Sequence, residues 1–228
     1  MFEHIDHGFV FEELEATTLE SGRTYCVPTK DGDIHYPSVT TVLGFDKKEF
    51  FREWREMPGN KAKSARALDR GNVIHEAIED YLNNVPDALN LENLEYKAVA
   101  NFMRPYLNKI CNISALEVPL YSHTLKIAGR VDCVAEYEGK LSIIDFKGSD
   151  KVKKEKWIEN YFMQATAYSI MWEELTGQRI DQLVIIIGNE DGCCQIFKKE
   201  IKEYVPRLFR HLLKYEQHLL QENKNEND

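Results

Sequence analysis

The residues best suited to chemistry lie in one stretch, GRVDCVAEYEGKLSIIDFKGS, residues 129–149. Two runs rich in Val and Ile flank Glu138-Gly139, a pair able to form a two-residue hairpin loop. In that register Tyr137 faces Lys140, and Asp132 stands opposite Asp145. The Cβ atoms of the two acids are then roughly 5 Å apart. The side-chain period of two puts Lys147 on the face of Asp145, and Val131, Cys133 and Ala135 on the other face with Ile144 and Phe146. Facing carboxylates among apolar residues repel each other. A divalent cation bound by oxygen ligands relieves the repulsion, and Mg²⁺ commonly takes one or two carboxylates plus substrate phosphate oxygens. A lysine beside it can orient or activate a water. The chemistry implied is phosphodiester hydrolysis. The competing reading is a surface hairpin with ordinary exposed charges, because D-x-K is short and a bulged loop slips the register by one.

Other residues cluster around this theme. His75 sits on the apolar stripe of a predicted helix, one turn after Arg70-Gly71. It is either a core histidine or, as a neutral imidazole, a metal ligand; the carboxylate pair favours the ligand. Glu117, in LEVPLY, is either a further carboxylate near the metal or an edge-strand charge. Gln164 and Tyr168 lie one turn apart on a stripe with Trp157, Tyr161, Trp172 and Leu175. A Gln there needs a hydrogen-bond partner, such as a catalytic water, the Phe146 backbone or DNA. Lys151, Lys153, Lys154 and Lys156 precede or open a helix, where cations oppose the macrodipole. They suit either a bound phosphate or a solvated loop. Lys61, Lys63, Arg66 and Arg70 line the helix leading to His75 and can track a nucleic-acid strand. Phe50, Phe51 and Trp54 can stack on bases, but core packing is the first expectation.

The elements that must position these groups follow from periodicity and turn chemistry. Residues 22–36 read as a hairpin with Asp31-Gly32 at its turn, and Pro37-Ser38 opens a short helix ending at Gly44. Helices are expected over 46–57, 60–83 and 91–109, the last interrupted by Pro105. Strands follow at 114–122, 124–137 and 140–147, then a helix over 156–176, a buried strand at 183–188, pairing by CCQIF, and a helix over 201–221. The polar tail QENKNEND is expected to fray. The fold class is α/β, a mixed central sheet flanked by helices with an N-terminal helical region. One domain is expected over 1–228: a hairpin and helical region to about 110, a core over about 111–200, and a C-terminal helix and tail over 201–228.

Composition sets limits. With 228 residues and 43% hydrophobic content the chain can bury a core. A net charge of −9 opposes binding to a polyanion, so any such binding must use local basic patches. Five cysteines without a C-x-x-C argue against a disulfide framework or zinc site and fit reduced thiols. The acidic opening MFEHIDHGFVFEELE has the form of neither a secretory signal nor a mitochondrial presequence, and no apolar run is long enough to span a membrane. A cytoplasmic setting, in a bacterium or phage-infected cell, is therefore expected.

The set R-G-x-x-x-H, E-V-P-L, G-R-V-D, I-I-D-F-K-G-S and Q-x-x-x-Y, in this order, resembles the RecB-like nucleases of the PD-(D/E)XK superfamily. The hairpin stretch and YPSVTTVL are similar to the mitochondrial genome maintenance exonucleases and their bacteriophage relatives, and the likeness spans about residues 22–175. The resemblance implies a restriction-endonuclease-like core. It also implies Mg²⁺ or Mn²⁺ bound by His75, Asp132, Asp145 and the Phe146 carbonyl, with Lys147 catalytic and Gln164 and Tyr168 positioning. The implied substrate is single-stranded DNA with a free end, cut by an exonuclease acting as a monomer, with Ser149 and the lysine loop contacting the strand. A flap or branch endonuclease and a non-catalytic DNA-binding module are the alternatives. Gly148 stands where the family usually has Thr, a departure expected to loosen the loop after the lysine. The cysteine spacing does not support the iron–sulfur cluster of some relatives.

Overall fold

The computed structural model describes residues 1–225. Strands β1 (Ala16–Leu19), β2 (Gly22–Thr29) and β3 (Gly32–Pro37) form a small antiparallel sheet in that order. The hairpin is where the sequence puts it, but its loop is Lys30-Asp31, with Thr29 paired to Gly32. Gly32, at φ 117°, takes up the turn's strain from the first strand position. Strand β1 leaves no trace in the sequence pattern, because ATTL is short and exposed throughout.

Helix α1 (Val39–Gly44) is capped by Ser38, whose Oγ accepts the Thr41 N–H at 3.0 Å. After a 3₁₀ turn at Phe45–Lys47 come α2 (Lys48–Glu56) and, past Pro58-Gly59, α3 (Asn60–Leu82). Helix α4 (Leu94–Leu107) runs through Pro105 rather than breaking there. The proline sits in the last turn, where it removes one backbone bond just before the helix ends.

The main sheet contains β4 (Ile110–Ser122), β5 (Ile127–Tyr137), β6 (Lys140–Ser149), β7 (Gln182–Asn189) and β8 (Cys193–Lys199), in that spatial order. Only β6 and β7 pair in parallel, and α5 (Glu159–Thr176) is the crossover between them. This is the expected mixed sheet flanked by helices. Helix α6 (Ile201–Asn225) closes the chain. The first part of the tail expected to fray, residues 221–225, continues this helix; residues 226–228 lie outside the described residues.

Each face of the sheet carries a core. Val39 of α1, Phe162, Ala165 and Trp172 of α5 and Leu208 of α6 cover Val134, Ile143, Ile185 and Ile187. On the other face Ile74, Ile78 and Leu82 of α3 with Val99, Met103 and Leu107 of α4 cover Cys133, Ala135, Ile144, Phe146, Val184 and Ile186. Each such aliphatic side chain contributes about 1.5–3 kcal/mol on burial. Gly148 and Gly188 are paired across β6 and β7 under this second layer. A Cβ on Gly188 would meet Met103 Sδ at 2.6 Å, and one on Gly148 would meet Ile74 Cδ1 at 3.2 Å. Gly148 therefore does not loosen a loop: it lies inside β6 and lets α3 approach the strand closely. All five cysteines are free thiols, and no described helix is long and apolar enough to cross a membrane.

Candidate active site

The β5–β6 hairpin has the register read from the sequence, from Tyr137 opposite Lys140 to Cys133 opposite Ile144. Glu138 and Gly139 have φ of 51° and 78°, the two positive values that a type I′ turn requires. The backbone ladder ends one pair before the two acids. There the Oδ2 of Asp132 accepts the Phe146 N–H at 2.8 Å, so a side chain replaces the next strand partner.

One face assignment changes. Cys133 and Ala135 do pack with Ile144 and Phe146, but Val131 packs in the opposite core, beneath α5. A matching break lies on β4. Glu117 has φ 48°, a left-handed conformation within the strand, and side-chain alternation shifts there. Leu116 packs toward α3 and α4, while Val118, the partner of Val131, packs toward α5. The carbonyl of Glu117 is held by Arg130, which also pairs with Glu13.

His75 projects from α3 between the buried Ile74 and Ile78. Its Nε2 lies 2.6 Å from the Phe146 carbonyl oxygen and 3.5 Å from Asp132 Oδ2; its Nδ1 lies 3.7 Å from Glu117 Oε1. His75, Glu117 and Asp132 each offer an atom within 4.8 Å of the others. Burial disfavours a charged imidazole, but the carboxylates of Asp132 and Glu117 outweigh it and raise the His75 pKa to about 9.

Asp145 is 1% exposed. Its Oδ1 accepts from Lys147 Nζ at 2.6 Å, whereas its Oδ2 is buried with no partner among the described residues. Burial pushes the Asp145 carboxyl up, against the pull of Lys147. Burial works the other way on Lys147, but Asp145 and Asp132 outweigh it and hold the amine protonated. The Lys147 ammonium also lies 5.3 Å from the centre of the Tyr161 ring.

These donors fit a hard divalent cation. The set is carboxylate, carbonyl and imidazole, and adjacent ligands of an octahedral Mg²⁺ with bonds of roughly 2.1 Å stand roughly 3 Å apart. The His75–Phe146 and His75–Asp132 separations of 2.6 and 3.5 Å bracket that value. The orphaned Oδ2 of Asp145 is a further oxygen lacking a hydrogen-bond partner among the described residues.

Tyr168 is buried, and a Cβ on Gly129 would lie 2.8 Å from its hydroxyl, so the glycine of GRVD makes room for the ring. Burial drives the Tyr168 phenol well above its ordinary range, Asp132 adds to this, and Gln164 beside it partly offsets it. The two residues of the Q-x-x-x-Y pair therefore meet next to the acids.

The basic residues divide into two groups. Lys61 and Lys63 are exposed on α3. Arg66 pairs with Glu95 at 2.7 Å and Glu190 at 3.1 Å, and the buried Arg70 pairs with Glu190 at 2.8 Å, so both guanidinium groups have internal partners. Ser149 is buried, and its hydroxyl donates to the Lys151 carbonyl at 2.7 Å. Lys151 and Lys154 are exposed, and Lys153 lies 3.5 Å from Asp150. Helix α2 corrects an expectation: it buries no residue, and Phe50 and Phe51 are 62% and 49% exposed, so neither serves the core.

Two contributors were not singled out from sequence. Tyr161 was readable, since it shares the stripe of Gln164 and Tyr168. Glu190, which ties α3 to the β7–β8 turn, has no local signal, because its partners are remote in sequence.

The profile of the PD-(D/E)XK nuclease superfamily matches residues 105–226. Mitochondrial genome maintenance exonuclease 1 of Homo sapiens is 32% identical over 173 residues, 68% of this chain and 50% of that protein. The protein of the same name from Xenopus tropicalis is 26% identical over 172 residues, 68% of this chain and 49% of that protein. The chain thus spans about half the length of these relatives. A crystal structure of a protein from Eubacterium rectale superposes with a TM-score of 0.40 at 14% identity, over 65% of this chain and 68% of that one.

Proposed function

The chain belongs to the PD-(D/E)XK nuclease superfamily, and on that premise we propose that it is a Mg²⁺- or Mn²⁺-dependent exonuclease that hydrolyses single-stranded DNA from a free end. The observation that carries the reading is the convergence of the His75 imidazole, the Asp132 carboxylate and the Phe146 carbonyl beside the ion pair of Asp145 and Lys147. His75, Asp132, Asp145 and the Phe146 carbonyl would hold the metal, with Glu117 next to them. When bound, a divalent cation lowers the pKa of water and neutralises charge on the scissile phosphate.

The chain's own groups do the rest. Lys147 is kept protonated by its carboxylate neighbours, so it acts as a hydrogen-bond donor to the attacking water or a phosphate oxygen. Tyr161 confines its ammonium from one side. Tyr168 stays a neutral phenol and, with Gln164, orients polar groups at the Asp132 end. Lys61, Lys63, Lys151, Lys153 and Lys154 supply the positive charge that the chain as a whole lacks.

The test is cleavage of end-labelled linear and circular single strands with Mg²⁺, Mn²⁺ or EDTA. The expected result is degradation of the linear strand alone, dependent on metal. Cutting of the circle would replace the reading with an endonuclease. No cleavage and no Mn²⁺ binding would replace it with a binding module.

A further inference from the structure

Between β6 and α5 the chain exposes one large aromatic that neither the core nor the metal centre uses. Trp157 is 60% exposed, although burying its ring would favour folding. The Lys154 ammonium stands 5.3 Å from the centre of its ring. Lys151, Lys154 and Lys156 are exposed on the same connection. Lysines outnumber acids there: Asp150 lies 3.5 Å from Lys153 and Glu155 pairs with Lys199 of β8, which leaves a net positive surface that fits a polyanion.

The backbone beneath these side chains is fixed. The Gln195 side chain brackets Lys153, accepting its N–H at 2.7 Å and donating to its carbonyl at 2.9 Å. Asp191 accepts the Val152 N–H at 3.3 Å. The Trp157 N–H bonds the Lys154 carbonyl at 2.8 Å, and the next residue, Ile158, is buried in the core. A ligand therefore meets a preformed surface, which lowers the ordering cost of binding. The surface is tied to the site along the chain. It follows the strand that carries Asp145 and Lys147, and Trp157 stands four positions before Tyr161, whose ring confines the Lys147 ammonium.

We propose that Trp157 is a stacking platform for one base of the bound single strand, with Lys154 on the adjoining phosphate, so that this pair sets where the strand lies relative to Lys147. The inference rests on the single-stranded substrate proposed above and adds a positioning residue to it. An aromatic platform is tolerant of base identity, because every base offers a flat face, and a preference for unpaired strands follows.

The test measures binding of a labelled single strand by fluorescence anisotropy in the Lys147→Ala protein, with and without Trp157→Ala or Trp157→Phe. Trp157→Ala is expected to weaken binding roughly five- to hundredfold, the range for losing one stacked base, with Trp157→Phe restoring most of it. Scanning a single abasic unit along the oligonucleotide should find one position that costs a similar factor with Trp157 present and nothing once it is Ala. Unchanged circular dichroism and melting temperature separate this from misfolding. If the Lys147→Ala protein binds the strand and Trp157→Ala binds it equally well, the platform is overturned while the nuclease reading stands. If the parent binds no single strand, both fall.

Discussion

The Nε2 of His75 and the carbonyl oxygen of Phe146 are 2.6 Å apart, joining the middle of helix α3 to the strand that bears Asp145 and Lys147. In the metal-free protein a proton holds this junction together; a cation would occupy it instead. His75→Ala is expected to weaken Mn²⁺ binding by at least about tenfold and to leave the circular dichroism spectrum unchanged. Calorimetric titration checks this, and an unaltered affinity removes His75 from the ligand set.

The same junction sets a pH dependence. Burial opposes the charge on His75, but Asp132 and Glu117 raise its pKa from 6.5 to about 9. A folded value above the unfolded one means that folding takes up a proton. The stabilisation is complete below about pH 6.5 and is lost as pH rises through about 9. The metal-free melting temperature should therefore fall across that window in the wild type and change less in His75→Asn. Equal slopes for the two proteins would contradict the assignment.

The buried Asp145 and the half-buried Lys147 form a pair in which each compensates the other. Lys147→Ala or Asp145→Asn should each lower cleavage by about a hundredfold or more. In urea titrations without metal, Lys147→Ala leaves the raised Asp145 carboxyl to protonate, and Asp145→Asn leaves a half-buried ammonium without its nearest carboxylate. The double variant Asp145→Asn with Lys147→Met should then be more stable than the sum of the single losses implies, because it removes both charges together. Strict additivity would argue against the pair.

Gly188 lies under α4, where a Cβ would meet Met103 Sδ at 2.6 Å and Val99 Cγ1 at 2.7 Å. Gly188→Ala should cost about 1–3 kcal/mol through overpacking. Adding Met103→Ala should recover part of it, as measured by urea denaturation.

Replacing Lys151, Lys153 or Lys154 by Gln should weaken single-strand binding with little regard to sequence. Each change should lower the slope of log affinity against log salt by about 0.7 if the residue meets a phosphate. A wild-type slope in all three would remove the loop from the binding surface.

The hairpin and its acids were legible because alternation, a two-residue turn and opposed carboxylates are all local signals. The helix bearing His75 was legible from its stripe, and the buried strand β7 from its continuous run of Leu, Val and Ile. Val131 was misplaced because both paired strands break alternation there, beside Glu117, whose positive φ no residue type announces. Phe50 and Phe51 were given to a core because hydrophobicity records what a residue prefers and not whether a partner exists to cover it. Arg66 and Arg70 read as free cations because Glu190, their shared counter-charge, is more than a hundred residues away.

The paired glycines at 148 and 188 have a mechanical consequence. The imidazole rides on a helix, whereas the carboxylates are anchored in a sheet, so the width of the jaw between them is decided by how deeply the helical layer can sink. The missing methyl group at 148 leaves room for the tip of Ile74, one position before the imidazole, and the one at 188 seats the neighbouring α4. A methyl group at 188 would lift α4 off the sheet, whereas one at 148 would press on α3 only through that flexible tip.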